Sequence, residues 1–278
     1  MYDAMREMLK EDVGFEDITS NAVVDPYKIV TAFILSRDVG IFAGGSIVSK
    51  LFEENDVEVK LSMMDGTPIG YNDVLMSVRG YARDVFRIER TALNLLMRMS
   101  GVATLTDHYC QLVKDYNVIV AGTRKTMPGL SKFDNHALRV GGADTHRLRL
   151  DDMVLIKDNH IKTCESPVEA LKKAQDYISF SKKIEIEVET IEDAVECVLN
   201  AADIVMLDNM KIDEIKEVIN RLNDSDIRYD SLIEVSGGIT EDNIVEYAKT
   251  GVDIISIGAL THSARSLDFH MEVISQSQ

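Results

Sequence analysis

Cysteine is scarce in this 278-residue chain, and what there is does not cluster. Cys110, Cys164 and Cys197 are odd in number and lack C-x-x-C spacing, which excludes a disulfide framework and a thiolate zinc site and predicts a reducing, cytoplasmic setting. Long apolar runs are missing as well. Nothing approaches the roughly 18 apolar residues of a membrane span, and the opening MYDAMREMLKEDVG carries charges where a secretory signal needs an apolar stretch. Positive charge is the third deficit: 30 Lys and Arg face 47 Asp and Glu, for a net charge of −17. Nucleic acid binds through a positive field and is not an expected partner, so any anionic ligand needs a local exception. No proline-rich or low-complexity linker interrupts the chain, so its parts are expected to pack together.

With 45% hydrophobic residues, the chain can bury one large core or a barrel beside a smaller domain. From about Val118 onward, short Val/Ile/Leu runs (NVIVAG, MVLIKD, KIEIEVE, DIVMLDN, SLIEVSGG, DIISIGA) alternate with helical patterns such as SPVEALKKAQDYI and KIDEIKEVINRL. Ser166-Pro167 and Thr240 with its following acids read as helix starts. Continuous apolar strands separated by helices belong to a covered parallel sheet, so the fold class is α/β, with an incomplete β/α barrel over residues 103–278. Residues 1–102 differ, with IVTAFILS and DVEVKLSM, glycine turns, and a helical stretch from about Ala82 to Tyr116 that should break or bend near Ser100-Gly101. They read as a separate α+β domain, to which the last ten or so residues are expected to return.

Catalytic groups of β/α barrels sit where strands end, on the C-terminal face. Here Lys157 closes MVLIKD, Asp208 closes DIVMLDN, Ser236 and Gly237 close SLIEVSGG, and Gly258 closes DIISIGA. An apolar strand needs none of them. In KIEIEVE, alternation puts Glu185, Glu187 and Glu189 on one face and Ile184, Ile186 and Val188 on the other. If the isoleucines meet helices, the glutamates point inward, where each must find a cation, a hydrogen bond, a metal or a proton. With Lys157 and Asp208 they form a set able to engage Mg²⁺, held mainly by phosphate and water. The glycines of SGGI and SIGAL, with Thr261 and His262 beside the latter, suit a phosphate held by backbone N–H groups. The local exception in charge runs from Gly122 to Lys162. Eight cations face five acids there, a +3 window in a chain whose remainder is −20, and three of the six histidines share it.

Within that window, GTRKTMPGL followed by ALRVGGADTHRLRLDDMVLIKDNHI resembles the signature of the quinolinate phosphoribosyltransferases. EVE, VMLDNM, VSGGI and IGALTHSA continue the resemblance to the C-terminus, and EDVGFEDITS, GIFAGG and ERTALNLLMRMSGVAT carry it through the amino-terminal half. It implies an enzyme that joins quinolinate to phosphoribosyl pyrophosphate with Mg²⁺, releasing pyrophosphate and CO₂ and leaving nicotinate mononucleotide for NAD synthesis. It also implies an α+β domain beside an incomplete, seven-stranded barrel, in a homodimer or larger homo-oligomer. By motif position, Thr123, Arg124, Lys125, His146, Arg147 and Lys157 would receive the substrate carboxylates and part of the donor, with Arg90 supplied by the partner subunit. Glu187 and Asp208 would attend the ribose hydroxyls and hold Mg²⁺, directly or through water, while Ser236, Gly237, Gly258 and Ala259 would hold the 5′-phosphate. Lys125, Lys157, Glu187 and Asp208 are the catalytic set so implied.

Two positions depart from that pattern. Thr145 stands where the family usually has asparagine, and Ser131 stands where a basic residue is common; His262 matches a motif histidine without an assigned role. A related family, the molybdenum-transport accessory proteins, shares the fold and an RKT-PG segment but generally lacks the LIKDNH ending carried here by Lys157 and His160. Nicotinate phosphoribosyltransferase, acting on a monocarboxylate, would need fewer carboxylate-binding cations. A non-catalytic anion-binding scaffold would need neither Glu187 with Asp208 nor two phosphate loops.

Overall fold

The computed structural model describes residues 1–274. Its elements begin with α1 (Tyr2–Val13), α2 (Ile18–Val23), β1 (Ile29–Ser36), β2 (Gly40–Ile41), α3 (Gly45–Glu53), β3 (Glu58–Leu61), β4 (Pro68–Ile69), β5 (Val74–Tyr81) and α4 (Ala82–Leu112). Then follow β6 (Ile119–Ala121), α5 (Ser131–Val140), β7 (Val154–Ile156), α6 (Asp158–Ile161), α7 (Pro167–Tyr177) and β8 (Ile184–Val188). The chain continues through α8 (Ile191–Leu199), β9 (Ile204–Asp208), α9 (Ile212–Asp224), β10 (Leu232–Ser236), α10 (Ile244–Ala248), β11 (Ile254–Ser256), α11 (Ala259–His262) and β12 (Phe269–Ile274). Two compact units interleave along it. Met1–Asp107, Thr126–Gly142 and the residues from Ala259 on form one, and His108–Lys125 with Ala143–Gly258 form the other, so the expected 102/103 seam falls inside α4. No helix among the described residues is long and apolar enough to cross a membrane.

In the first unit, the β-branched and aromatic residues of β1 alternate in burial, with Ala32 and Ile34 fully inside. The sheet is antiparallel in the order β12-β1-β5-β3, and β12 pairs with β1 from Ser36↔Phe269 to Thr31↔Ile274. The end of the chain therefore returns to the amino-terminal sheet; the part of that expectation beyond Ile274 lies outside the described residues. Of the break or bend expected at Ser100-Gly101, no break occurs: α4 runs unbroken through it. A Cβ on Gly101 would fall 2.0 Å from the carbonyl oxygen of Arg265, so this glycine permits a close backbone approach. The cost of about 1 kcal/mol for glycine inside a helix is too small to end one buried along Val85, Ile88, Ala92, Leu96, Met99 and Ala103.

The second unit is built on six parallel strands in the order β6-β11-β10-β9-β8-β7. β9 is buried from Ile204 to Leu207, as a strand covered on both faces should be. The helix start at Ser166-Pro167 is present, with Ser166 Oγ accepting from the Glu169 N–H at 3.2 Å. The one expected at Thr240 is a turn instead, and α10 starts after Asn243. Of the expected seventh strand, a single parallel bridge is present, between Ala121 and Asp144. It consists of Gly122 N–H to Asp144 C=O at 2.8 Å and Asp144 N–H to Val120 C=O at 2.9 Å. The reason is local: His146 sits at φ +54, and left-handed backbone cannot prolong a strand.

Candidate active site

Parallel strands bring their C-terminal ends to one edge of the sheet, and a cavity of about 560 Å³ opens there, within the usual range for small-molecule sites. β6 leads into Thr123, Arg124 and Lys125, the segment after the Asp144 bridge brings His146 and Arg147, and β7 is followed by Lys157. β8 contributes Glu187, β9 Asp208, β10 Ser236 with the following Gly237, and β11 Ser256. Ten of the residues singled out in the sequence thus share one cavity. Gly258, Ala259 and Arg90 are not among its lining residues; Arg90 is exposed on α4.

The cationic and acidic walls perturb one another. Burial, then the charge of Arg124, lowers the pKa of Arg147, whose Nη1 donates to the Met153 carbonyl at 3.5 Å. Two guanidiniums that repel each other favour an anion placed between them. Lys157 Nζ is paired with Glu187 Oε2, and the Lys157 backbone N–H donates to His160 Nδ1 at 2.9 Å. Burial, then the charge of Glu187, raises the pKa of Asp208, whose Oδ2 accepts from Asn209 Nδ2 at 2.8 Å. Two mutually repelling carboxylates with only oxygen donors fit a hard divalent cation such as Mg²⁺.

Glycine is required at the β10 turn. Gly237 lies at φ +93, and a Cβ there would meet Asn209 Oδ1 at 2.1 Å, whereas at Gly238, φ +64, it would meet nothing within 4 Å. A loop of this kind exposes its backbone N–H groups as an anion-binding concavity.

At the base of the cavity lies a cluster that the strand-end reading only half anticipates. Glu185 on β8 and Glu234 on β10 are both 0% exposed, and His146 Nε2 sits between them, 3.0 Å from Glu185 Oε2 and 3.3 Å from Glu234 Oε2. Shared between two acceptors, Nε2 is aligned with neither. Ser256 Oγ donates to the other oxygen of Glu234. The remaining polar atoms of His146 are engaged too: its N–H donates to Asp144 Oδ1 at 2.7 Å, its carbonyl accepts from Thr145 Oγ1 at 3.1 Å, and its Nδ1 accepts from the Arg147 N–H at 2.8 Å. These contacts hold a conformation that costs about 1–3 kcal/mol for a residue other than glycine. Thr145, the departure from the family pattern, uses its hydroxyl here.

Two influences on that ring pull apart. Burial lowers its proton affinity, but Glu185 and Glu234 outweigh burial and push its pKa up to about 10, which favours an imidazolium. The 2.8 Å approach of the Arg147 N–H leaves room for one hydrogen between the two nitrogens, which favours the neutral Nε2–H tautomer. The geometry decides for the neutral ring, since a second proton would set two donors against each other, while burial raises the pKa of Glu185 and lets it hold that proton. His146, Glu185 and Glu234 also offer three ligand atoms within 4.8 Å of one another. A metal would need the Nε2 lone pair, which the Arg147 N–H at Nδ1 denies it.

Sequence reasoning did not find Glu234, Ser256 or Asn209. The one available signal was Glu234 itself, a lone acid between Ile233 and Val235 in an otherwise apolar run. His262 is exposed at the end of α11 with Nδ1 2.6 Å from Ser263 Oγ, and Ser131 opens α5.

Two family models match the chain: the N-terminal domain of quinolinate phosphoribosyl transferase over residues 17–100 and its C-terminal domain over 102–272. A relative from Methanothermobacter thermautotrophicus, named "Probable nicotinate-nucleotide pyrophosphorylase (carboxylating)", is 43% identical over 98% of this chain and 99% of its own. The nicotinate-nucleotide pyrophosphorylase (carboxylating) of Mycobacterium leprae is 35% identical over 98% of this chain and 96% of its own. A crystal structure of nicotinate-nucleotide pyrophosphorylase from Ehrlichia chaffeensis matches with a TM-score of 0.92 at 34% identity, covering 99% of this chain and 98% of that one.

Proposed function

Because the chain belongs to the quinolinate phosphoribosyltransferase family, we infer that it transfers the phosphoribosyl group of phosphoribosyl pyrophosphate to quinolinate with decarboxylation. The products are nicotinate mononucleotide, pyrophosphate and CO₂, on the route to NAD. The observation that carries this reading is one cavity holding a cationic set, Arg124, Lys125, Arg147 and Lys157, together with the acidic pair Glu187 and Asp208. The molybdenum-transport alternative loses its ground, since the relatives carry the enzyme's name and the LIKDNH ending is built into the cavity through Lys157.

Arg124 and Arg147 receive the carboxylates of quinolinate, with Thr123, Lys125 and His146 bounding the same wall. Each charge-assisted hydrogen bond contributes about 1.5–3 kcal/mol, so two or three separate the dicarboxylate from a monocarboxylate. Ser236 and Gly237, with Gly258 and Ala259 on the next loop, hold the 5′-phosphate. Glu187 and Asp208 lie toward the ribose, where positive charge develops at C1 as pyrophosphate departs, and Lys125 and Lys157 balance the negative charge of donor and substrate. Mg²⁺, held by Glu187 and Asp208 directly or through water, would supply charge neutralisation for the leaving group. No covalent nucleophile is needed: the pyridine nitrogen bonds to C1 as the C1–O bond breaks. The positive charge now on the nitrogen stabilises the electron pair left on the adjacent ring carbon when its carboxylate leaves as CO₂, and that carbon then gains a proton from water. The protein's part in that second step is orientation and exclusion of solvent.

The assembly belongs to the same proposal: a homodimer or larger homo-oligomer in which Arg90, exposed on α4, reaches the site of a partner subunit. The cytoplasmic setting rests on the isolated spacing of Cys110, Cys164 and Cys197 in the sequence. The meeting of the two family models between residues 100 and 102 supports a seam near 102/103, and the Asp144 bridge is the remnant of a seventh barrel strand. The test is to incubate the purified chain with quinolinate, phosphoribosyl pyrophosphate and Mg²⁺. Equal amounts of nicotinate mononucleotide and CO₂ are expected, and a folded protein that forms neither would overturn the reading.

A further inference from the structure

We propose that Glu185 and Glu234 are positioning residues for the quinolinate-binding wall: by fixing the ring of His146 between them, they set the backbone from which Arg147 enters the cavity. The proposal rests on the reading of Arg147 as a carboxylate contact. Asp144, Thr145 and Arg147 hold His146 from within its own segment, whereas Glu185 and Glu234 reach it from β8 and β10, on either side of β9 in the sheet. They tie a loop to the frame. Both oxygens of Glu185 and one of Glu234 are buried without an aligned hydrogen-bond partner, an arrangement that apolar side chains of similar volume would match or better for stability alone. A group that is poor for stability and aimed at a left-handed residue in the site points to a functional use.

The link to Arg147 is direct. Its N–H donates to His146 Nδ1 at 2.8 Å, so the angle of the ring fixes the direction of the Arg147 peptide. Among the described residues its guanidinium has one hydrogen bond of its own, a long one to the Met153 carbonyl at 3.5 Å, beside the charges of Glu185 and Glu187. Its aim therefore follows from the backbone.

The decisive variant is Glu185→Leu/Glu234→Leu in the full chain, read by thermal melting, by kinetics with each substrate varied, and by calorimetric titration with quinolinate. The expected result is a modest fall in melting temperature, because His146 Nε2–H and Ser256 Oγ lose their acceptors, and a KM for quinolinate raised about tenfold or more, with the KM for phosphoribosyl pyrophosphate within about twofold. Glu234→Gln, which keeps an acceptor toward Nε2 and a partner for Ser256, is expected to restore near-wild-type quinolinate binding. A wild-type quinolinate KM in the double variant overturns the proposal. So does a fall in melting temperature with both KM values rising together, the mark of a merely structural role. Should the double variant fail to fold, Glu234→Leu alone carries the same readout. Arg147→Ala separates the two levels. If it leaves the quinolinate KM unchanged, the reading of the wall has failed; if it raises the KM and the leucine variants do not, only the positioning role is lost.

Discussion

A single methyl group at Gly237 should disable the donor side of the site. The backbone there has φ +93, and the added Cβ would lie 2.1 Å from Asn209 Oδ1, 2.6 Å from its Cγ and 3.1 Å from its backbone nitrogen. The side chain of Asn209 can swing away, but its backbone nitrogen cannot, because it donates to the Ser236 carbonyl at 2.9 Å. Swinging away also breaks the hydrogen bond from Asn209 Nδ2 to Asp208 Oδ2 at 2.8 Å. The strain of an unfavourable backbone costs about 1–3 kcal/mol, and a hydrogen bond to a charged group contributes about 1.5–3 kcal/mol. Gly237→Ala is therefore expected to lower the melting temperature and to raise the KM for phosphoribosyl pyrophosphate roughly tenfold or more, leaving quinolinate affinity in calorimetric titration nearly intact. Gly238→Ala is the control, since it carries a positive φ of +64 but meets nothing within 4 Å. It should lose stability and keep its donor KM. Equal effects of the two substitutions on the donor KM would show that the Asn209 contact has no part in donor binding.

Three further outcomes follow from the same geometry. Arg147→Ala should raise the KM for quinolinate by roughly 10- to 150-fold, the equivalent of one charge-assisted hydrogen bond, and steady-state kinetics showing no change in a folded variant would remove Arg147 from the wall. Asp208→Asn should cut turnover yet raise the melting temperature at neutral pH. Burial and Glu187 raise the folded-state pKa of Asp208, so its contribution is favourable below the unfolded pKa and lost as pH rises through the folded one. Melting curves across pH should then show the gain from asparagine shrinking as pH falls through the carboxylate range, and a lower melting temperature at neutral pH would contradict this. Arg98→Ala should destabilise the fold by about 3–5 kcal/mol in denaturant titration, because a buried charge is left unpaired. Arg98 holds Asp134, itself 0% exposed, through bonds of 3.0 and 3.1 Å; a loss below 1 kcal/mol would mean that water reaches Asp134.

The parts of the site written at strand ends were legible in the sequence, because a parallel sheet carries consecutive strand ends to one edge whatever the details of packing. Lys157, Glu187, Asp208 and Ser236 meet in one cavity for that reason. The inward aim of Glu185 was legible too, from the alternation in KIEIEVE. Glu234 was not, because LIEVS contains one acid and no alternation to fix its phase, and its partner His146 comes from a different segment. Gly101 was read as a break or bend because glycine serves both to end helices and to admit a second backbone, and the approach of Arg265 is a tertiary fact. Where a seventh strand was expected there is a single bridge, because His146 is left-handed, a conformation with no local signature in a residue that is not glycine.

The pairing of β12 with β1 has a consequence for the order in which the chain is made. β1, β3 and β5 leave the ribosome early, and β5 can close on β1, and β3 on β5, at once. The other edge of β1, from Thr31 to Ser36, must then wait with its N–H and C=O groups unpaired until Phe269–Ile274 is synthesised. An open, largely apolar edge is a template for pairing with another chain, and nascent chains of this length expose it for most of their synthesis. The residues that line the cavity, the last of them Ser256, are all made before that edge is sealed, so a chain cut short after Leu267 would carry every one of them and still present the open edge of β1 to other chains.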